Sequence, residues 1–365
     1  MRAPARPPGA RRRPETRLAS LVELALSAPS LAAAAHAEDW PAAFAAQAGA
    51  LPREQWDRAL GDVARDILGR PSRQFRARLA ELAFRLGGGP GEPPVLLGSI
   101  VEIIHAGSLI IDDIEDGSRV RRGAPSVHVT HGLPRALNTG NWMYFWALAL
   151  VERLEPTAPL VRERLLRALV SAMFDCHLGQ ALDLTVEVGW MARDAVAGAV
   201  ATSTSLKTGA LTSLAARLGA IVAGAPAERE EALARFGRRL GVALQMLDDL
   251  GNLTGGSEGN EGKALEDLRN GTPTWPWAFA SRAMDTEAFA ELQADARAVF
   301  EQGDDARARA LAAKLRIAVG HEGRREASRA LADALADLTA ALDDGARPAL
   351  ALLADELARL EVAYG

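Results

Sequence analysis

The feature that most restricts the fold of this chain is a largely apolar segment, residues 96–116, that ends in the acidic sequence DDIED. An α-helix turns by about 100° per residue, so a helix over this segment places Asp112 and Asp116 one turn apart on one face. His105 lies two turns before Asp112 on that face, and most of the other positions are apolar. The segment predicts a long apolar helix that carries several negative charges at its end.

The acidic end of this helix favours a site for divalent cations. Like charges this close destabilise a folded chain, and the dipole of a helix disfavours acids at its carboxyl end. Oxygen ligands without cysteine or paired histidine favour Mg²⁺ or Mn²⁺ over Zn²⁺, and Mg²⁺ often shares the phosphates of a substrate. By itself the cluster is also compatible with a helix end that is exposed to solvent.

A second acidic pair lies near the end of another apolar helical segment, residues 240–253. Asp248 and Asp249 form this pair, and Gln245 precedes Asp249 by one helical turn. Two acidic helix ends of this kind suit a cavity in which a metal-bound diphosphate is held between them. The second pair therefore strengthens the hypothesis of a metal site.

Several polar residues between the two clusters suit contacts with a diphosphate. Lys207 is the single lysine of an apolar helical segment, Arg121 and Arg122 follow Asp116 within six residues, and Gln180 and Asp183 share one helical face. Arginine can grip phosphate through two parallel hydrogen bonds. Each of these residues is weak evidence when it is taken alone, because long charged side chains more often face solvent.

Glycine and proline divide the rest of the chain into further helical segments, and no stretch shows the alternation of a strand for long. Strong helix formers dominate the composition, so we expect an all-α fold. Residues 117–134 are expected to be a loop, and residues 254–271 are polar and rich in glycine. The predicted helices span residues 54–68, 72–86, 96–116, 138–154, 160–188, 192–223, 229–253, 275–283, 286–302, 304–319, 322–344 and 347–362.

The composition of the chain excludes several classes of protein. With 365 residues, of which 48% are hydrophobic, the chain can bury a large core in one domain. A net charge of −5 gives no indication of nucleic-acid binding, and no apolar run reaches the about 20 residues of a membrane span. The single Cys176 excludes an internal disulfide and fits a reducing compartment, so we expect a cytoplasmic protein.

The amino-terminal residues are expected to differ from the domain that follows. Residues 1–18 contain six arginines and one glutamate and predict a disordered basic tail, ahead of one all-α domain over residues 19–365. Residues 21–37 loosely imitate an export signal, but Glu23 interrupts the apolar part. The basic tail is therefore the preferred interpretation.

The ordered motifs resemble the trans-isoprenyl diphosphate synthases of the polyprenyl synthetase family, and are most similar to the geranylgeranyl diphosphate synthases of fungi and animals. Several motifs in one order are far more specific than a single acidic match. The resemblance implies one bundle of helices around a central cavity, and a homodimer. The motifs are HAGSLIIDDIED at residues 105–116, RRGAPSVH at 121–128, KTG at 207–209, QMLDDLGNL at 245–253 and EDL at 266–268.

The resemblance also implies a role for individual residues and a set of three Mg²⁺ ions, with Mn²⁺ as an alternative. The implied metal-binding residues are Asp112, Asp113, Asp116, Asp183, Asp248 and Asp249. The implied substrate-binding residues are Arg70, Arg73, His105, Arg121, Arg122, Gln180, Lys207 and Lys263. The residues expected to act directly in catalysis are Lys207, Thr208, Gln245, Asp112 and Asp248.

The implied reaction joins isopentenyl diphosphate to an allylic diphosphate, which is dimethylallyl, geranyl or farnesyl diphosphate. Metal ions and basic side chains neutralise the allylic diphosphate, which then leaves as its C–O bond breaks. The side chain of Gln245 and the carbonyl of Thr208 are expected to face the allylic cation in a dry cavity. The double bond of isopentenyl diphosphate then attacks, and the released diphosphate is expected to remove the proton.

The sequence departs from the family pattern at two basic positions. Arg70 stands where the family has lysine, and Thr272 stands where a lysine follows glycine, so a basic group is missing there. Lys263 and Arg269 are the candidates to replace it. Asn252 is the third residue of the second acidic motif, and the fungal and animal branch also has asparagine there.

These departures leave three hypotheses open. The first is an elongating prenyltransferase, which the intact Arg73, His105 and Arg122 favour because they suit an isopentenyl diphosphate site. The second is a class I terpene cyclase on the same fold, which ionises one allylic diphosphate without elongation. The third is a non-catalytic subunit that pairs with an active partner.

The length of the product is expected to depend on residues near the first acidic cluster. Gly107 and Ser108 are small where farnesyl-making relatives carry aromatic residues, which implies an open cavity floor. Trp142, Phe145 and Trp146 on the next helix are expected to close the cavity lower down. We expect a C20 product, with C25 as the alternative, and a shorter product when Gly107 is replaced by phenylalanine.

Overall fold

The computed structural model describes residues 57–94, 96–154, 157–254 and 261–364, together with residue 55. The expected basic tail of residues 1–18 and the export-like segment at 21–37 lie outside this part of the chain. Within the described ranges, no helix combines the length and the apolar character that crossing a membrane requires.

The described residues form an all-α fold, which confirms the expected fold class. The first helices are α1 (Asp62–Gly69), α2 (Phe75–Leu86), α3 (Leu97–Glu115), α4 (Val127–His131), α5 (Leu133–Glu152), α6 (Pro159–Asp183), α7 (Arg193–Thr204), α8 (Ala210–Ala223) and α9 (Ala227–Thr254). The later helices are α10 (Glu261–Arg269), α11 (Trp275–Ala283), α12 (Thr286–Gln302), α13 (Asp305–Val319), α14 (Glu322–Ala340) and α15 (Arg347–Tyr364).

Short helical turns and one small hairpin complete the secondary structure. A π-helical turn (Asp57–Gly61) precedes α1, and a second π-helical turn (Ser205–Gly209) joins α7 to α8. The 3₁₀ turns are Val188–Trp190 and Asp344–Ala346. The hairpin pairs β1 (Val120–Arg121) with β2 (Ala124–Pro125) in antiparallel register.

The apolar helix α3 lies inside the bundle, as its sequence predicts. It packs along α5 and α2, while α8 packs against α9, α2 and α6. These helices share one hydrophobic core, and a second core lies beneath α7 and α10 to α13. Helix α9 joins the two cores, because Leu240 and Leu244 belong to the first and Leu247 and Leu250 to the second.

Two glycines allow α3 and α5 to approach each other closely. A Cβ atom at Gly107 would lie 2.9 Å from the carbonyl oxygen of Gly140, and one at Gly140 would lie 2.8 Å from Ile111. Gly107 therefore lies in the contact between two helices and not on a cavity floor, where the sequence argument placed it. A phenylalanine at this position would push the helices apart.

The loop predicted over residues 117–134 is wrong, since this segment contains regular structure. Residues 117–134 form the hairpin and α4, and the turn of the hairpin has positive φ angles at Arg122 (55°) and Gly123 (75°). This is the geometry of a two-residue hairpin turn, and Arg122 adopts it without being glycine. The segment 254–271 contains α10, and the single helix predicted over 192–223 is interrupted by the second π-helical turn.

Candidate active site

The first acidic cluster is bound by a lysine from the π-helical turn between α7 and α8. Lys207 donates to Asp112 Oδ1 at 2.9 Å and to Asp183 Oδ2 at 2.8 Å, so one ammonium bridges α3 and α6. Burial lowers the pKa of Lys207, but the carboxylates of Asp112 and Asp183 outweigh it and raise the pKa overall. Lys207 is therefore charged, and the structure brings together three residues that the sequence assigned to one site.

An arginine from the hairpin binds the same cluster from the other side. Arg121 donates through Nε to Asp113 Oδ1 at 2.7 Å and through Nη2 to Asp112 Oδ2 at 3.4 Å. The side chain of Asp113 is fully buried, whereas that of Asp112 is 17% exposed. Asp113 therefore positions Arg121, and Asp112 is the more accessible carboxylate of the two.

The second cluster is linked to Thr208, the residue directly after Lys207. Thr208 Oγ1 donates to Gln245 Oε1 at 2.9 Å, and Gln245 Nε2 donates to Asp249 Oδ1 at 2.7 Å. The other oxygen of Asp249 accepts the backbone N–H of Trp275, the first residue of α11, at 3.0 Å. Burial raises the pKa of Asp249 to about 8. Both oxygens of Asp249 thus accept hydrogen bonds, one of which positions Gln245. Asp248 is the other carboxylate of this cluster and suits a metal ion.

The π-helical turn that carries Lys207 and Thr208 is braced from two sides. Cys176 on α6 lies 3.4 Å from the carbonyl oxygen of Lys207, and Arg238 on α9 donates to the carbonyl of Ser205 at 3.1 Å. The carbonyl of Thr208 accepts a hydrogen bond of 2.6 Å from the hydroxyl of Thr212. A π-helical turn within a helix is frequent at functional sites.

The expected substrate contact Arg70 has a different place in the structure. Its guanidinium donates to Asp66 at 2.9 Å and to the carbonyls of Arg121 at 3.0 Å and Pro125 at 2.8 Å. Its side chain is only 6% exposed, and His131 contacts the other oxygen of Asp66. All three guanidinium nitrogens are thus used, one on Asp66 of α1 and two on the hairpin, which corrects the role that the sequence assigned to Arg70.

Arg73 is held by the end of the chain. It donates to the carbonyl oxygen of Ala363 at 2.7 Å, and its guanidinium carbon lies 3.9 Å from the ring centroid of Tyr364. Within the part of the chain that the structure describes, the side chains of His105 and Arg122 have no such partners. Burial and the charges of Arg76 and Arg122 hold the pKa of His105 well below its usual range, so the imidazole is neutral.

The remaining expected residues lie at the edge of the site. Gln180 donates to Glu115 at 2.7 Å, and Asn270 donates to the carbonyl oxygen of Asp116 at 3.4 Å. Glu266, which the motif analysis noted without a role, accepts a hydrogen bond from Ser118 beside the first cluster. The side chain of Lys263 lies outside the described residues.

Sequence reasoning missed Arg76, in the first turn of α2. Its Nε atom is buried and has no hydrogen-bond partner, and its charge acts on groups from three other elements of the site. The available signal was its spacing: it follows Arg73 by three residues, which would place both on one face of the helix predicted over residues 72–86.

The donor set of the two clusters fits Mg²⁺. Every candidate ligand is a carboxylate oxygen, and no group of three or more histidine, cysteine or acidic side chains converges on one point within the described ranges. Each cluster is thus an incomplete ligand set, as expected for ions that complete their coordination with water and substrate phosphates. Lys207 and Arg121 offset the carboxylate charge in the structure as it stands.

The fold and the site define a class of protein: a helical bundle in which Lys207 and Thr208 link two acidic helix ends, with Arg121 bound to the first of them. A family profile described as polyprenyl synthetase matches residues 57–312. The chain therefore belongs to the polyprenyl synthetase family.

Individual relatives support the same assignment. The chain is 29% identical over 221 residues to geranylgeranyl pyrophosphate synthase 2 of Zymoseptoria tritici, an alignment that covers 60% of this chain and 64% of the relative. It is 33% identical over 192 residues to the geranylfarnesyl diphosphate synthase of Aeropyrum pernix, with 52% and 59% covered. The chain thus spans less than two thirds of the length of these curated relatives.

A solved structure agrees over more of the chain. The crystal structure of geranylgeranyl pyrophosphate synthetase from Pyrococcus horikoshii has a TM-score of 0.68 and 26% sequence identity. The match covers 83% of this chain and 90% of that protein.

Proposed function

We propose that this protein is a metal-dependent trans-prenyl diphosphate synthase, which condenses isopentenyl diphosphate with an allylic diphosphate. One observation carries the proposal. Lys207 contacts Asp112 of the first acidic cluster, while the next residue, Thr208, contacts Gln245 beside the second cluster. A single turn of backbone thus joins both halves of a site that suits ionisation of a diphosphate ester.

The residues that we propose to hold Mg²⁺ are Asp112 and Asp116 on the first side and Asp248 on the second. Bound Mg²⁺ supplies positive charge that makes diphosphate a better leaving group. Lys207 and Arg121 bind the allylic diphosphate through charge-assisted hydrogen bonds. Both side chains contact Asp112 in the structure, which supports this role.

On the other side, Gln245 and Thr208 stabilise the allylic cation through fixed dipoles. Their mutual hydrogen bond, together with the bond from Gln245 to Asp249, holds both side chains in place before substrate binds. Preorganised dipoles act strongly where water is excluded, because they need no reorientation during the reaction.

We further propose geranylgeranyl diphosphate, with 20 carbons, as the product, and Tyr144 as the residue that limits its length. Tyr144 is half-buried on α5, and its ring lies edge-on to His177 at 5.6 Å. A Cβ atom at Gly107 would lie 3.6 Å from Cε1 of Tyr144, so the ring packs against α3 five residues before Asp112. Burial raises the pKa of Tyr144, and the neighbouring Cys176, Glu115 and Asp112 raise it further.

The aromatic residues that the sequence suggested as the lower end of the product cavity lie elsewhere. Trp146 is buried in the main core and stacks on Trp142 at 4.9 Å, and Phe145 is 69% exposed. Phe145 therefore faces outward from its own chain, and Tyr144 remains as the large aromatic side chain directed toward the first cluster.

We also propose a homodimer that forms through the outer faces of α5 and α6. Large apolar side chains are exposed there at helical spacing, and two neighbouring helices of this kind suit a symmetric interface with a second copy of the chain. The exposed residues are Leu137, Phe145, Val170, Phe174 and Leu178.

The experiment that tests the proposed function is product analysis with farnesyl diphosphate, Mg²⁺ and labelled isopentenyl diphosphate. We expect the label to enter a diphosphate of 20 carbons. A hydrocarbon formed from farnesyl diphosphate alone would instead identify a cyclase. The absence of any turnover by the homogeneous protein would favour a non-catalytic subunit.

A further inference from the structure

The π-helical turn Ser205–Gly209 carries two residues whose positions decide the geometry of the candidate site. Lys207 contacts the first acidic cluster, and Thr208 contacts Gln245 beside the second. A π turn forms its hydrogen bonds over five residues instead of four and is rare, so contacts with neighbouring elements are expected to stabilise it. A small shift of this turn would misplace both halves of the site at once.

One face of α9 contacts the turn at three levels. Arg238, Gly241 and Gln245 share that face, because they follow one another by three and four residues. Arg238 donates through Nη1 to the carbonyl of Ser205 at 3.1 Å and to its hydroxyl at 3.4 Å. A Cβ atom at Gly241 would lie 2.8 Å from the carbonyl oxygen of Thr208. Gln245 completes the row by accepting the hydroxyl of Thr208.

Arg238 contacts both ends of the turn. Its guanidinium binds Ser205, the first residue of the turn. A Cβ atom at Gly209, the last residue, would lie 3.2 Å from Cγ of Arg238 and 3.2 Å from its carbonyl oxygen. The aliphatic part of Arg238 therefore packs closely against the end of the turn, and its guanidinium fixes the start.

Asp175 on α6 restrains this guanidinium. Arg238 donates through Nη2 to Asp175 Oδ2 at 3.0 Å. Both residues line a cavity of about 410 Å³ between α6, α8 and α9, and the side chain of Arg238 is 38% exposed there. A partly exposed arginine has many accessible rotamers, so the carboxylate limits it to the one that contacts the turn.

We propose that Arg238, restrained by Asp175, is a positioning residue that holds Lys207 and Thr208 in place against the two acidic clusters. Its hydrogen bonds go to the start of the turn and to α6, so it acts through the backbone of the turn. The inference rests on the proposed function and goes beyond it, because it gives a role in the reaction to a residue outside the recognised motifs.

The test compares the steady-state kinetics of Arg238→Ala with those of the wild type. We expect kcat to fall roughly 10- to 100-fold, because a displacement of about 1 Å in groups that bind the transition state has an effect of this size. The KM for isopentenyl diphosphate is expected to stay within about twofold, since its proposed contacts lie on α3 and the hairpin. Arg238→Lys should recover only part of kcat, because an ammonium lacks the fork of donors that reaches both partners.

Arg239→Ala is the matched control, because Arg239 is the next residue of α9 and pairs with Asp337 of α14. It is expected to change neither kcat nor KM. A wild-type kcat in Arg238→Ala, or an equal fall of kcat in Arg239→Ala, would overturn the inference.

Asp175→Asn tests the same role without removing the arginine, and so also covers the case in which Arg238→Ala fails to fold. The amide keeps the size of the carboxylate but not its charge, which weakens the restraint on Arg238. We expect a smaller fall of kcat in the same direction. An unchanged kcat in this variant would contradict the role of Asp175.

The single cysteine provides a measurement that does not depend on the proposed function. Cys176 Sγ lies 3.4 Å from the carbonyl oxygen of Lys207, and burial raises its pKa to about 11, so its thiol is expected to react slowly in the wild type. A loosened turn exposes this thiol. The rate of labelling by an aromatic disulfide reagent is therefore expected to rise several-fold in Arg238→Lys, which keeps the positive charge near the thiol.

The labelling rates separate this inference from the proposed function. Faster labelling of Arg238→Lys, with the wild-type rate in Arg239→Ala, supports the positioning role even if the wild type does not elongate prenyl diphosphates. Equal labelling of the wild type and both variants refutes it even if the wild type is an active synthase.

Discussion

The ammonium of Lys207 lies 2.9 Å from the carboxylate of Asp112, although the two residues are 95 positions apart in the chain. The contact is formed because a π-helical turn between α7 and α8 directs Lys207 toward the end of α3. The same ammonium also binds Asp183 of α6. Three elements of the bundle thus meet at one charge, which offsets the carboxylates and, in the proposed reaction, binds the leaving group.

The first prediction concerns Asp112. We expect Asp112→Ala to lower turnover by roughly 10³-fold, because it removes a proposed metal ligand where charge develops and leaves Lys207 with one carboxylate fewer. Steady-state assays over a range of Mg²⁺ concentrations measure the effect. Glu115→Gln is the control, since Glu115 is exposed and contacts Gln180. Near-wild-type turnover in Asp112→Ala would contradict the metal assignment.

The second prediction concerns the bracing of the hairpin by Arg70. Lysine cannot bridge one carboxylate and two carbonyls as the guanidinium does, so Arg70→Lys leaves buried acceptors without donors. We expect the free energy of unfolding to fall by about 1–3 kcal/mol, measured by urea denaturation, and the KM for the allylic substrate to rise. Arg65→Lys, at a more exposed ion pair with Asp62, is the control. If Arg70 were a diphosphate ligand, lysine would preserve both stability and activity.

The third prediction concerns the length of the product. Tyr144→Ala is expected to shift the product from 20 carbons to longer chains, because the ring beneath the first cluster is removed. Chromatography of the dephosphorylated products measures the distribution. Phe145→Ala changes the neighbouring aromatic residue, which is 69% exposed, and is expected to leave the chain length unchanged. An unaltered product in Tyr144→Ala would show that another residue limits the length of the product.

The fourth prediction concerns the pH dependence of stability through His105. The pKa of His105 is held well below 6.5 in the folded protein, so below about pH 6.5 the unfolded chain binds a proton that the folded chain does not. His105 therefore makes the folded protein less stable as the pH falls through the pKa that this residue has in the unfolded chain. We expect the free energy of unfolding to fall between pH 7.5 and 5.5, and the fall to be about 1 kcal/mol smaller in His105→Gln than in the wild type.

Urea denaturation at both pH values, in the presence of a chelator, measures this difference. If the free energy of unfolding declined equally in the wild type and in His105→Gln, His105 would have the same pKa in the folded and the unfolded state.

The fifth prediction concerns the proposed dimer. Phe174 is 66% exposed on α6, and a charge at this position would be buried without a partner in a symmetric interface. Phe174→Asp is therefore expected to shift the protein toward monomers in sedimentation velocity. Ile317→Asp is the control, because Ile317 is 82% exposed on α13, away from the proposed interface. Equal sedimentation of wild type and Phe174→Asp would place the interface elsewhere.

Local sequence patterns predicted the first and last residues of some helices correctly. The predicted helices 275–283 and 286–302 coincide with α11 and α12. Pro276 lies in the first turn of α11, and the side chain of Asp285 accepts the backbone N–H of Ala288 at the start of α12. Signals of this kind act within one helical turn, so they can be recognised without knowledge of the rest of the fold.

The elements that were missed depend on contacts between distant parts of the chain. The hairpin that carries Arg121 is held by Arg70, which is 51 residues earlier in the sequence. Helix α10 places Glu266 against Ser118, at a separation of 148 residues. A short segment whose hydrogen bonds end on remote side chains has no local pattern that distinguishes it from a loop.

The sequence by itself determined the all-α class, the family and the residue types of the site, because spacing on a helix fixes which residues share a face. Only the tertiary structure decided what each of them does. Arg70, Arg73 and Arg76 have the same chemistry and lie within seven positions, yet one braces the hairpin, one binds the end of α15 and one lies over the ring of Phe75. The physical reason is that the role of an arginine depends on the hydrogen-bond acceptors around its guanidinium. Those acceptors come from α1, the hairpin and α15, which only folding brings together.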